Sequence, residues 1–312
     1  MQKTVLLTGA AGFIGSHVAE AYLSEGFRVV GVDDLSSGTR ENMAVCEKSA
    51  DFIFREGSIC DRGFVAGLMQ EYRPQLINHH AAQKSVPASV EDPFLDADIN
   101  IMGLLNLVMA CEASPIEQFI FASTGGAMAA APVGERLPDE TDKPQLQSPY
   151  AITKFASEQY IACYGALFGF DYTALRYGNV YGPRQIPAGE CGVIPIFVEN
   201  ALANRPSTLF AYPDMPDGCT RDYVHVYDVV AANLAATRTP ANTAINIATG
   251  TELSIGHIYR ALMTALNKNL PLQTAGPRPG DLRRSVISPA LAKQLLGWEA
   301  KIGLEEGLAT LA

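Results

Sequence analysis

The sequence predicts an α/β fold in which a doubly wound parallel sheet precedes a smaller C-terminal α/β domain. Two observations lead to this prediction. Segments of strand and of helix composition alternate from the N-terminus to Arg176, which is the rhythm of a parallel sheet with right-handed helical crossovers. Beyond that point the character changes, because residues 177–192 are rich in Gly, Pro, Asn and Gln, and residues 193–312 carry shorter elements and many prolines.

The first strand and the first helix are joined by a glycine-rich turn. An apolar run at 3–8 is followed by Gly9, Gly12 and Gly15, and residues 13–25 have helical composition. In this context the three glycines allow a tight turn, close approach to a pyrophosphate, and close packing of helix on strand. The helix N-terminus favours the same phosphates. The motif predicts a dinucleotide-binding Rossmann fold, and the alternative is a glycine turn in some other βα unit.

The second strand predicts which dinucleotide binds. Residues 28–32 form an apolar run that ends at Asp33, where a dinucleotide-binding fold places the acid that hydrogen-bonds the adenosine ribose. An acid at this position suits NAD and repels the additional phosphate of NADP. We therefore expect NAD as the cofactor.

The remaining elements continue the alternation. Strands are expected at 51–55, 75–79, 117–122 and 171–176, and helices at 61–72, 92–113 and 149–168. A strand–helix–strand segment near 222–247 is expected to return to the first domain. The predicted domains are a cofactor-binding domain at 1–178 plus about 220–247, and a substrate-binding domain at 179–219 plus 248–312.

A second motif supplies candidate catalytic residues. Pro149 suits the first turn of a helix, so Tyr150 and Lys154 lie four residues apart on one helix face. A tyrosine that acts as a base near neutral pH must lose its proton far below its usual pKa of about 10. A neighbouring ammonium and a bound nicotinamide cation both favour the phenolate. Many helices contain such a pair by chance, but its position downstream of the glycine motif favours a redox site.

Composition argues against several other classes of protein. The chain has 312 residues, 48% apolar and 18% charged, which is typical of a soluble globular enzyme. A net charge of −10 without a basic stripe argues against a nucleic-acid partner. We expect no membrane span, no signal peptide and no metal site. Six scattered cysteines predict reduced thiols in a cytoplasmic protein, and the adjacent His79 and His80 are expected to be structural.

The sequence resembles the extended short-chain dehydrogenase/reductases that act on nucleotide sugars, and within them most of all the UDP-glucose 4-epimerases. The resemblance covers nearly the whole chain. The segments that carry it are T-G-A-A-G-F-I-G-S-H (8–17), V-D-D-L-S-S-G (32–38), H-H-A-A-Q-K-S-V (79–86), F-A-S-T-G-G-A (121–127), S-P-Y-A-I-T-K (148–154), L-R-Y-G-N-V-Y-G-P-R-Q (175–185), R-D-Y-V-H-V-Y-D-V (221–229) and R-P-G-D-L (278–282).

The resemblance implies roles for individual residues. Tyr150 matches the catalytic base, Lys154 its activator, and Thr124 the residue that hydrogen-bonds the sugar hydroxyl. The residues that would bind NAD are Gly9, Gly12, Phe13, Ile14, Gly15, Asp33, Ser58, Ile59, Ala81, Ala82, Lys84, Asn100, Tyr150, Lys154 and Tyr177. Those that would hold the substrate diphosphate are Asn179, Arg221 and Arg278, and Ser285 falls on the position that gates the sugar pocket.

Two departures from the family pattern concern the site. Ser58 stands where an Asp usually contacts adenine, so we expect a weaker adenine contact. Ala129 and Ala130 replace the usual Tyr-Gly beside the sugar, which is expected to reshape the pocket. Together with the small Ser285, this predicts a pocket that accepts N-acetylated sugars as well as plain hexoses.

The residues after Thr124 indicate the reaction type. Related sugar dehydratases carry an Asp-Glu pair there that eliminates water, and related decarboxylating enzymes use a Glu. This chain has Gly125 and Gly126 instead. The expected reaction is therefore 4-epimerisation of a nucleotide sugar through a transient 4-keto intermediate, without net oxidation.

Two alternatives remain at the level of sequence. One is another nucleotide-sugar oxidoreductase or epimerase of the same family, and the other is a non-catalytic NAD-binding protein, which would usually have lost the Tyr or the Lys. Relatives dimerise through helices that match 92–113 and 149–168, so a homodimer is expected.

Overall fold

The computed structural model describes residues 2–129, 136–187, 192–277 and 282–312. It contains fourteen described strands. Their bounds are β1 Thr4–Thr8, β2 Arg28–Asp33, β3 Phe52–Glu56, β4 Leu76–His79, β5 Gln118–Thr124, β6 Asp171–Tyr177, β7 Asn179–Tyr181, β8 Ser207–Phe210, β9 Thr220–Arg221, β10 Tyr223–His225, β11 Thr243–Ile247, β12 Leu253–Ser254, β13 Leu272–Ala275 and β14 Arg284–Ser285.

Eleven α-helices connect these strands within the described ranges. They are α1 Phe13–Ser24, α2 Arg62–Tyr72, α3 Val86–Glu91, α4 Pro93–Ala97, α5 Leu104–Ala113, α6 Pro149–Phe168, α7 Val193–Leu202, α8 Val226–Arg238, α9 Ile255–Ala265, α10 Ala290–Leu296 and α11 Leu304–Ala309. Between α4 and α5, residues Asp98–Gly103 form a π-helical segment, a feature that often accompanies functional sites.

Seven parallel strands form the main sheet, in the order β11-β6-β5-β4-β1-β2-β3. Alternate residues of β1 enter different cores because strand side chains alternate between faces. Val5 and Leu7 pack in the core that holds residues of α1 and α8, whereas Leu6 packs in the core under α2, α5 and α6. Both faces are thus covered by helices, as the sequence predicts.

The strand order reverses between β1 and β4. The chain runs outward on one side through β2 and β3, and on the other through β5 and β6. A doubly wound sheet opens a crevice beyond the carboxyl ends of its strands at such a point, and ligands bind there. The fold therefore places the glycine turn after β1 and the segment after β4 on opposite sides of one opening.

The C-terminal part has a small core of its own. It combines the short sheets β12-β9-β14 and β13-β8 with an apolar cluster on α7, α9 and α11 that includes Phe197, Ile258, Leu262 and Leu308. The segment after β10 returns to the main sheet, where β11 pairs with β6. The exact domain boundaries stay a prediction.

The predicted elements of the first half are found within a residue or two at each end, with one correction. The helix expected at 92–113 is interrupted by the π-helical segment, and α3 was not predicted. Contrary to expectation, Pro93–Ala113 is also long and apolar enough to cross a membrane by length and composition, with 39% of that stretch buried. Its Asp96 and Asn100 are nevertheless buried and hydrogen-bonded within the protein.

Candidate active site

A cavity of about 1080 Å³ opens at the carboxyl edge of the main sheet. It is larger than most single-ligand sites, which occupy about 300–1,000 Å³. The predicted residues that line it are Gly9, Gly12, Phe13, Ile14, Gly15, Asp33, Ser58, Ile59, Ala81, Ala82, Lys84, Thr124, Tyr150, Lys154, Tyr177, Asn179 and Arg221. Residues distant in sequence thus converge on one site.

The glycine turn leaves no room for side chains. Gly9 has a φ of +70°, and an added Cβ would lie 2.7 Å from the backbone nitrogen of Ala81. A Cβ on Gly15 would lie 2.0 Å from the carbonyl oxygen of Gly9. Helix α1 starts after Gly12 without a side-chain cap, so its first N–H groups face the cavity without intrahelical partners. This cradle fits a pyrophosphate group.

Asp33 holds the neighbouring loops together at the end of β2. Its carboxylate accepts hydrogen bonds from the backbone N–H of Ala11 and of Leu35, both at 2.9 Å. Burial raises the pKa of Asp33, and these two hydrogen bonds oppose that rise. A carboxylate fixed at the cavity wall by backbone donors is suited to accept further hydrogen bonds from ribose hydroxyls.

The Ser58 departure leaves a polar group at the adenine side. The Ser58 hydroxyl accepts a hydrogen bond from the backbone N–H of Cys60 at 3.2 Å, and both Ser58 and Ile59 line the cavity. The Ser58 side chain also interacts with the Cys60 thiol. The predicted weaker adenine contact is compatible with this arrangement and stays a prediction.

Tyr150, Thr124 and Lys154 meet where β5 faces the start of α6. Ser148 caps α6 by accepting from Ala151 N–H at 3.2 Å, which fixes the first turn that carries Tyr150. The Tyr150 hydroxyl is hydrogen-bonded to Thr124. Lys154 is 4% exposed, and its ammonium donates to the carbonyl oxygen of Ala122 at 3.0 Å. The structure therefore brings the three predicted catalytic residues together.

In the protein without a cofactor, the pKa of Tyr150 is raised and not lowered as a catalytic base requires. Burial raises it to about 12, and the hydrogen bond with Thr124 opposes that rise. Burial lowers the pKa of Lys154 to about 8, and the negative charge of Asp96 opposes that fall. Lys154 alone thus does not prepare the phenolate. The positive charge of a bound nicotinamide ring is needed as well, since it favours the phenolate in the same low-dielectric space.

Asn100 supports the site from behind rather than lining the cavity. It lies in the π-helical segment, accepts from the backbone N–H of Gln83 at 3.0 Å, and donates to Asp96 at 3.0 Å. Ser157 of α6 donates to the backbone carbonyl of Asn100 at 3.0 Å. These contacts join the π-helical segment to α6.

His80 is a cavity residue that the sequence analysis did not identify as functional. It lines the cavity, and its ring stacks on Tyr177 at 6.2 Å between centroids. Burial lowers its pKa to about 4, so the ring is neutral near pH 7. His80 follows the last residue of β4 at the carboxyl edge of the sheet, and this position in the sequence could have indicated a cavity residue. His79 is buried and hydrogen-bonded to Thr8, in keeping with a structural role.

The opposite end of the cavity is assembled from short strands outside the main sheet. Asn179 is fixed by two hydrogen bonds to the carbonyl oxygen of Asp222, from its backbone N–H at 2.8 Å and its side-chain amide at 3.2 Å. Arg221 lines the same wall and donates to the carbonyl oxygen of Thr220 at 2.8 Å. Arg278 lies outside the described residues.

Ser285 lies directly behind the cavity wall. Its hydroxyl donates to the carbonyl oxygen of Gly126 at 2.9 Å, and it is 3% exposed. Ala129 packs with Ala248 and Ile287 in a small apolar cluster. In the described lining of the cavity, Gly126 and Ala127 are present and Ser285 and Ala129 are not. Ser285 can therefore act on the sugar pocket through Gly126, and its gating role stays a prediction.

Across the described part of the chain, no group of three or more His, Cys, Asp or Glu residues is arranged to hold a metal ion. The five cysteines within that part are free thiols.

Comparison with known proteins identifies what this arrangement resembles. A sequence profile of the NAD-dependent epimerase/dehydratase family matches residues 5–248. A UDP-glucose 4-epimerase of Mycolicibacterium smegmatis is 41% identical over 308 residues, covering 97% of this chain and 96% of the relative.

Two solved structures are similar over nearly the whole chain. The UDP-glucose 4-epimerase of Thermotoga maritima, solved with UDP-glucose, has a TM-score of 0.91 and 39% identity, with 99% of this chain and 97% of that chain covered. The UDP-glucose 4-epimerase of Thermus thermophilus, solved with NAD, has a TM-score of 0.90 and 43% identity, with the same coverage.

Proposed function

Because this chain belongs to the NAD-dependent epimerase/dehydratase family, we propose that it is an NAD-dependent UDP-sugar 4-epimerase that interconverts UDP-glucose and UDP-galactose. The observation that carries the proposal is the contact between Tyr150 and Thr124 beside a buried Lys154, with glycines at the two positions that follow Thr124 in the chain.

The protein residues divide the chemistry between them. Bound NAD supplies oxidation and re-reduction of one carbon, the sugar C4. Tyr150 accepts the proton of the C4 hydroxyl and returns it, while Thr124 holds that oxygen by a hydrogen bond. Lys154 favours the phenolate by its positive charge. Asn179 and Arg221 hold the diphosphate, because amide and guanidinium donors suit phosphate oxygens.

Glycine at 125 and 126 disfavours elimination of water. A general acid or base at these positions would need a carboxylate side chain, and neighbouring atoms leave little space for one at Gly125. A Cβ on Gly125 would lie 2.2 Å from the Cδ1 of Ile287 and 3.1 Å from the carbonyl oxygen of Arg176. The site is therefore built for proton transfer by Tyr150 alone, which suffices for inversion at C4.

The sugar pocket is proposed to accept a 2-acetamido group as well as a plain hexose. Gly126 exposes only backbone to the cavity, and the residue behind it is the small Ser285. A Cβ on Gly126 would lie 3.6 Å from the nearest atom, the side-chain nitrogen of Asn179. An added carbon atom at Gly126 would therefore meet Asn179 only at ordinary contact distance, and the small residues at this wall support the proposal.

We also propose that two copies associate through an apolar face on α3, α4 and α6. The face is defined by Val90, Phe94, Leu95, Ile152 and Leu167, of which Phe94 is 86% exposed. The three helices pack against one another, and exposed apolar side chains on neighbouring helices are a common mark of an interface. We further propose that the protein is cytoplasmic and has no nucleic-acid or membrane partner. Sedimentation of the native protein and of Phe94→Asp would test the dimer, which the variant should weaken.

A panel of nucleotide sugars tests the proposed activity. Purified protein with NAD would be incubated separately with UDP-, dTDP-, GDP- and CDP-sugars, and the products resolved by chromatography. We expect UDP-galactose from UDP-glucose without a net absorbance change at 340 nm. A stoichiometric rise at 340 nm would identify a dehydrogenase instead, and no turnover with bound NAD would identify a non-catalytic binding protein.

A further inference from the structure

Asp96 is a buried carboxylate next to the catalytic helix for which the proposed mechanism has no use. It is 0% exposed. Its Oδ1 accepts from the Gln83 amide at 2.9 Å and from the Asn100 amide at 3.0 Å. Its Oδ2 accepts from the Thr153 hydroxyl at 2.8 Å. All three donors are neutral, so they solvate the carboxylate without cancelling its charge.

The same contacts tie Asp96 to the turn that carries the catalytic pair. Thr153 stands between Tyr150 and Lys154 on α6, and its hydroxyl lies 3.1 Å from the carbonyl oxygen of Tyr150. The charge of Asp96 acts on the ammonium of Lys154 and on the hydroxyl of Tyr150. A buried anion at this place therefore sets both the geometry and the electrostatics of the pair.

The other ionisable groups around Lys154 are paired or neutral, although the charge of Glu158 also raises the pKa of Lys154. Glu158, one turn further along α6, is held by Arg176 through two hydrogen bonds of 2.9 and 2.7 Å and also accepts from Ser123. His79 and His80 face Lys154 from the end of β4, and burial lowers the pKa of both rings.

On the outer side of Asp96, Glu91, Asp92 and Asp98 are exposed to solvent, where water screens their charges. Among the described residues, Asp96 forms no ion pair within 4.0 Å. Asp96 is thus a buried negative charge that has no ion-pair partner of its own in the described part of the chain and acts on the catalytic lysine.

We propose that Asp96 is a positioning residue: its hydrogen bond with Thr153 fixes the turn of α6 that carries Tyr150 and Lys154, and its buried negative charge stabilises the ammonium of Lys154. The proposal rests on the Tyr150–Lys154 chemistry of the proposed function. It adds a residue that touches neither substrate nor cofactor and acts through the lysine.

The sign of the effect on each group follows from Coulomb's law. A nearby anion stabilises the ammonium of Lys154 and so raises its pKa, and it destabilises the phenolate of Tyr150 and so raises that pKa too. Neutralising Asp96 must therefore lower both pKa values. Activity needs Tyr150 deprotonated and Lys154 protonated, so both limbs of the pH profile move toward acid.

The direct test is the ionisation of Lys154 in Asp96→Asn, which keeps the shape and the carbonyl acceptor but removes the charge. Purified native and variant proteins carrying ¹³Cε-labelled lysine would be titrated by NMR, with Lys154→Arg used to assign the resonance. The native pKa is expected near 8, and the variant pKa lower by about one unit. The matched control is Asp98→Asn, an exposed carboxylate two residues away, which should leave the Lys154 titration unchanged.

The pH dependence of turnover is the second readout. In Asp96→Asn both limbs should shift toward acid, and on the alkaline limb, above pH 8, a one-unit shift should lower the rate by about tenfold. In Thr153→Val, which removes a hydrogen bond but keeps the charge, the rate should fall without an acid shift. If Asp96→Asn does not fold, Asp96→Ser carries the same expectation.

An unchanged Lys154 titration in a folded, NAD-binding Asp96 variant would overturn the proposal, however far the rate falls. Because the NMR readout requires no substrate, this result is separate from failure of the proposed epimerase activity. If the Lys154 pKa shifts but no nucleotide sugar is turned over, the role of Asp96 stands and the proposed epimerase reaction is wrong.

Discussion

The two ends of the cavity are built from different materials. The cofactor end is made of backbone in regular elements: the turn after β1, the first N–H groups of α1 and the end of β2, with Asp33 held by two backbone donors. The sugar end is made of side chains on short strands and turns from distant segments, where Ser285 meets Gly126 across 159 positions of the chain.

This difference decides how each end responds to change. The glycine turn tolerates no added atom, because its close packing leaves no free volume. A wall of side chains can be altered one residue at a time, which changes substrate preference while the chemistry survives. We therefore expect substitutions of the close-packed glycines at the cofactor end to abolish NAD binding, and substitutions at the outer sugar wall to redistribute rates among substrates.

The largest effect is expected for Gly15→Ala. The new Cβ would lie 2.0 Å from the carbonyl oxygen of Gly9, so α1 must move away from the turn and the pyrophosphate cradle is lost. Calorimetry should detect no NAD binding. The matched control is Gly67→Ala on α2, where a Cβ meets nothing within 4 Å. The control should bind NAD normally and gain about 0.5–1 kcal/mol in free energy of unfolding.

The next largest effect is expected for Tyr150→Phe, which alters the catalytic residue between the cofactor end and the sugar end of the cavity. Loss of the proton acceptor should lower kcat by about 10²–10⁴-fold, the usual contribution of general acid–base catalysis. The aromatic ring remains, so binding of UDP-glucose and NAD should be nearly unchanged by calorimetry. A variant with near-native kcat would remove Tyr150 from the mechanism and leave the sugar end without its base.

Asp33→Asn sharpens the account of the cofactor end. It keeps a carbonyl acceptor for one backbone donor but loses the charge that we expect to bind the ribose. NAD binding should weaken by about 1.5–3 kcal/mol, the range for a hydrogen bond to a charged group, and the preference for NAD over NADP should narrow. Asp51→Asn, an exposed carboxylate just before β3, serves as the charge-matched control. Equal affinity of the native protein for NAD and NADP would contradict the role of Asp33.

Ser285→Tyr should have the smallest and most selective effect. A tyrosine behind Gly126 takes up free volume, and overfilling a packed site costs about 1–3 kcal/mol. Turnover of UDP-N-acetylglucosamine should fall by more than that of UDP-glucose. Ser285→Ala, which removes the hydrogen bond to Gly126 without adding bulk, should affect both substrates alike. Equal slowing of both sugars by the tyrosine would refute the gating role of Ser285.

The sequence predicted the cofactor end well for a physical reason. Glycine spacing, an apolar strand and a terminal acid are local patterns, and local patterns fix backbone geometry within one βα unit. Tyr150 and Lys154 were likewise found from helical periodicity. Family resemblance supplied Thr124, Asn179 and Arg221, which local pattern alone would not have brought into one site.

What the sequence did not predict depends on contacts between distant segments. The π-helical interruption between α4 and α5 turns Asp96 and Asn100 toward α6, and no periodicity over 92–113 indicated it. A structural role was expected for His80, and only the fold places its ring against Tyr177. The membrane-length hydropathy of Pro93–Ala113 combines core side chains such as Leu104 and Leu107 with exposed apolar ones such as Phe94.

The central claim is that C4 is oxidised and re-reduced within one binding event, and isotope retention at C4 tests it most directly. UDP-glucose labelled with deuterium at C4 would be converted by the enzyme in the presence of excess unlabelled NADH in solution. The account predicts that UDP-galactose keeps the deuterium at C4, as measured by mass spectrometry and NMR. Washout of the label into the soluble cofactor would contradict it, because the cofactor would then leave between the two half-reactions as in an ordinary dehydrogenase.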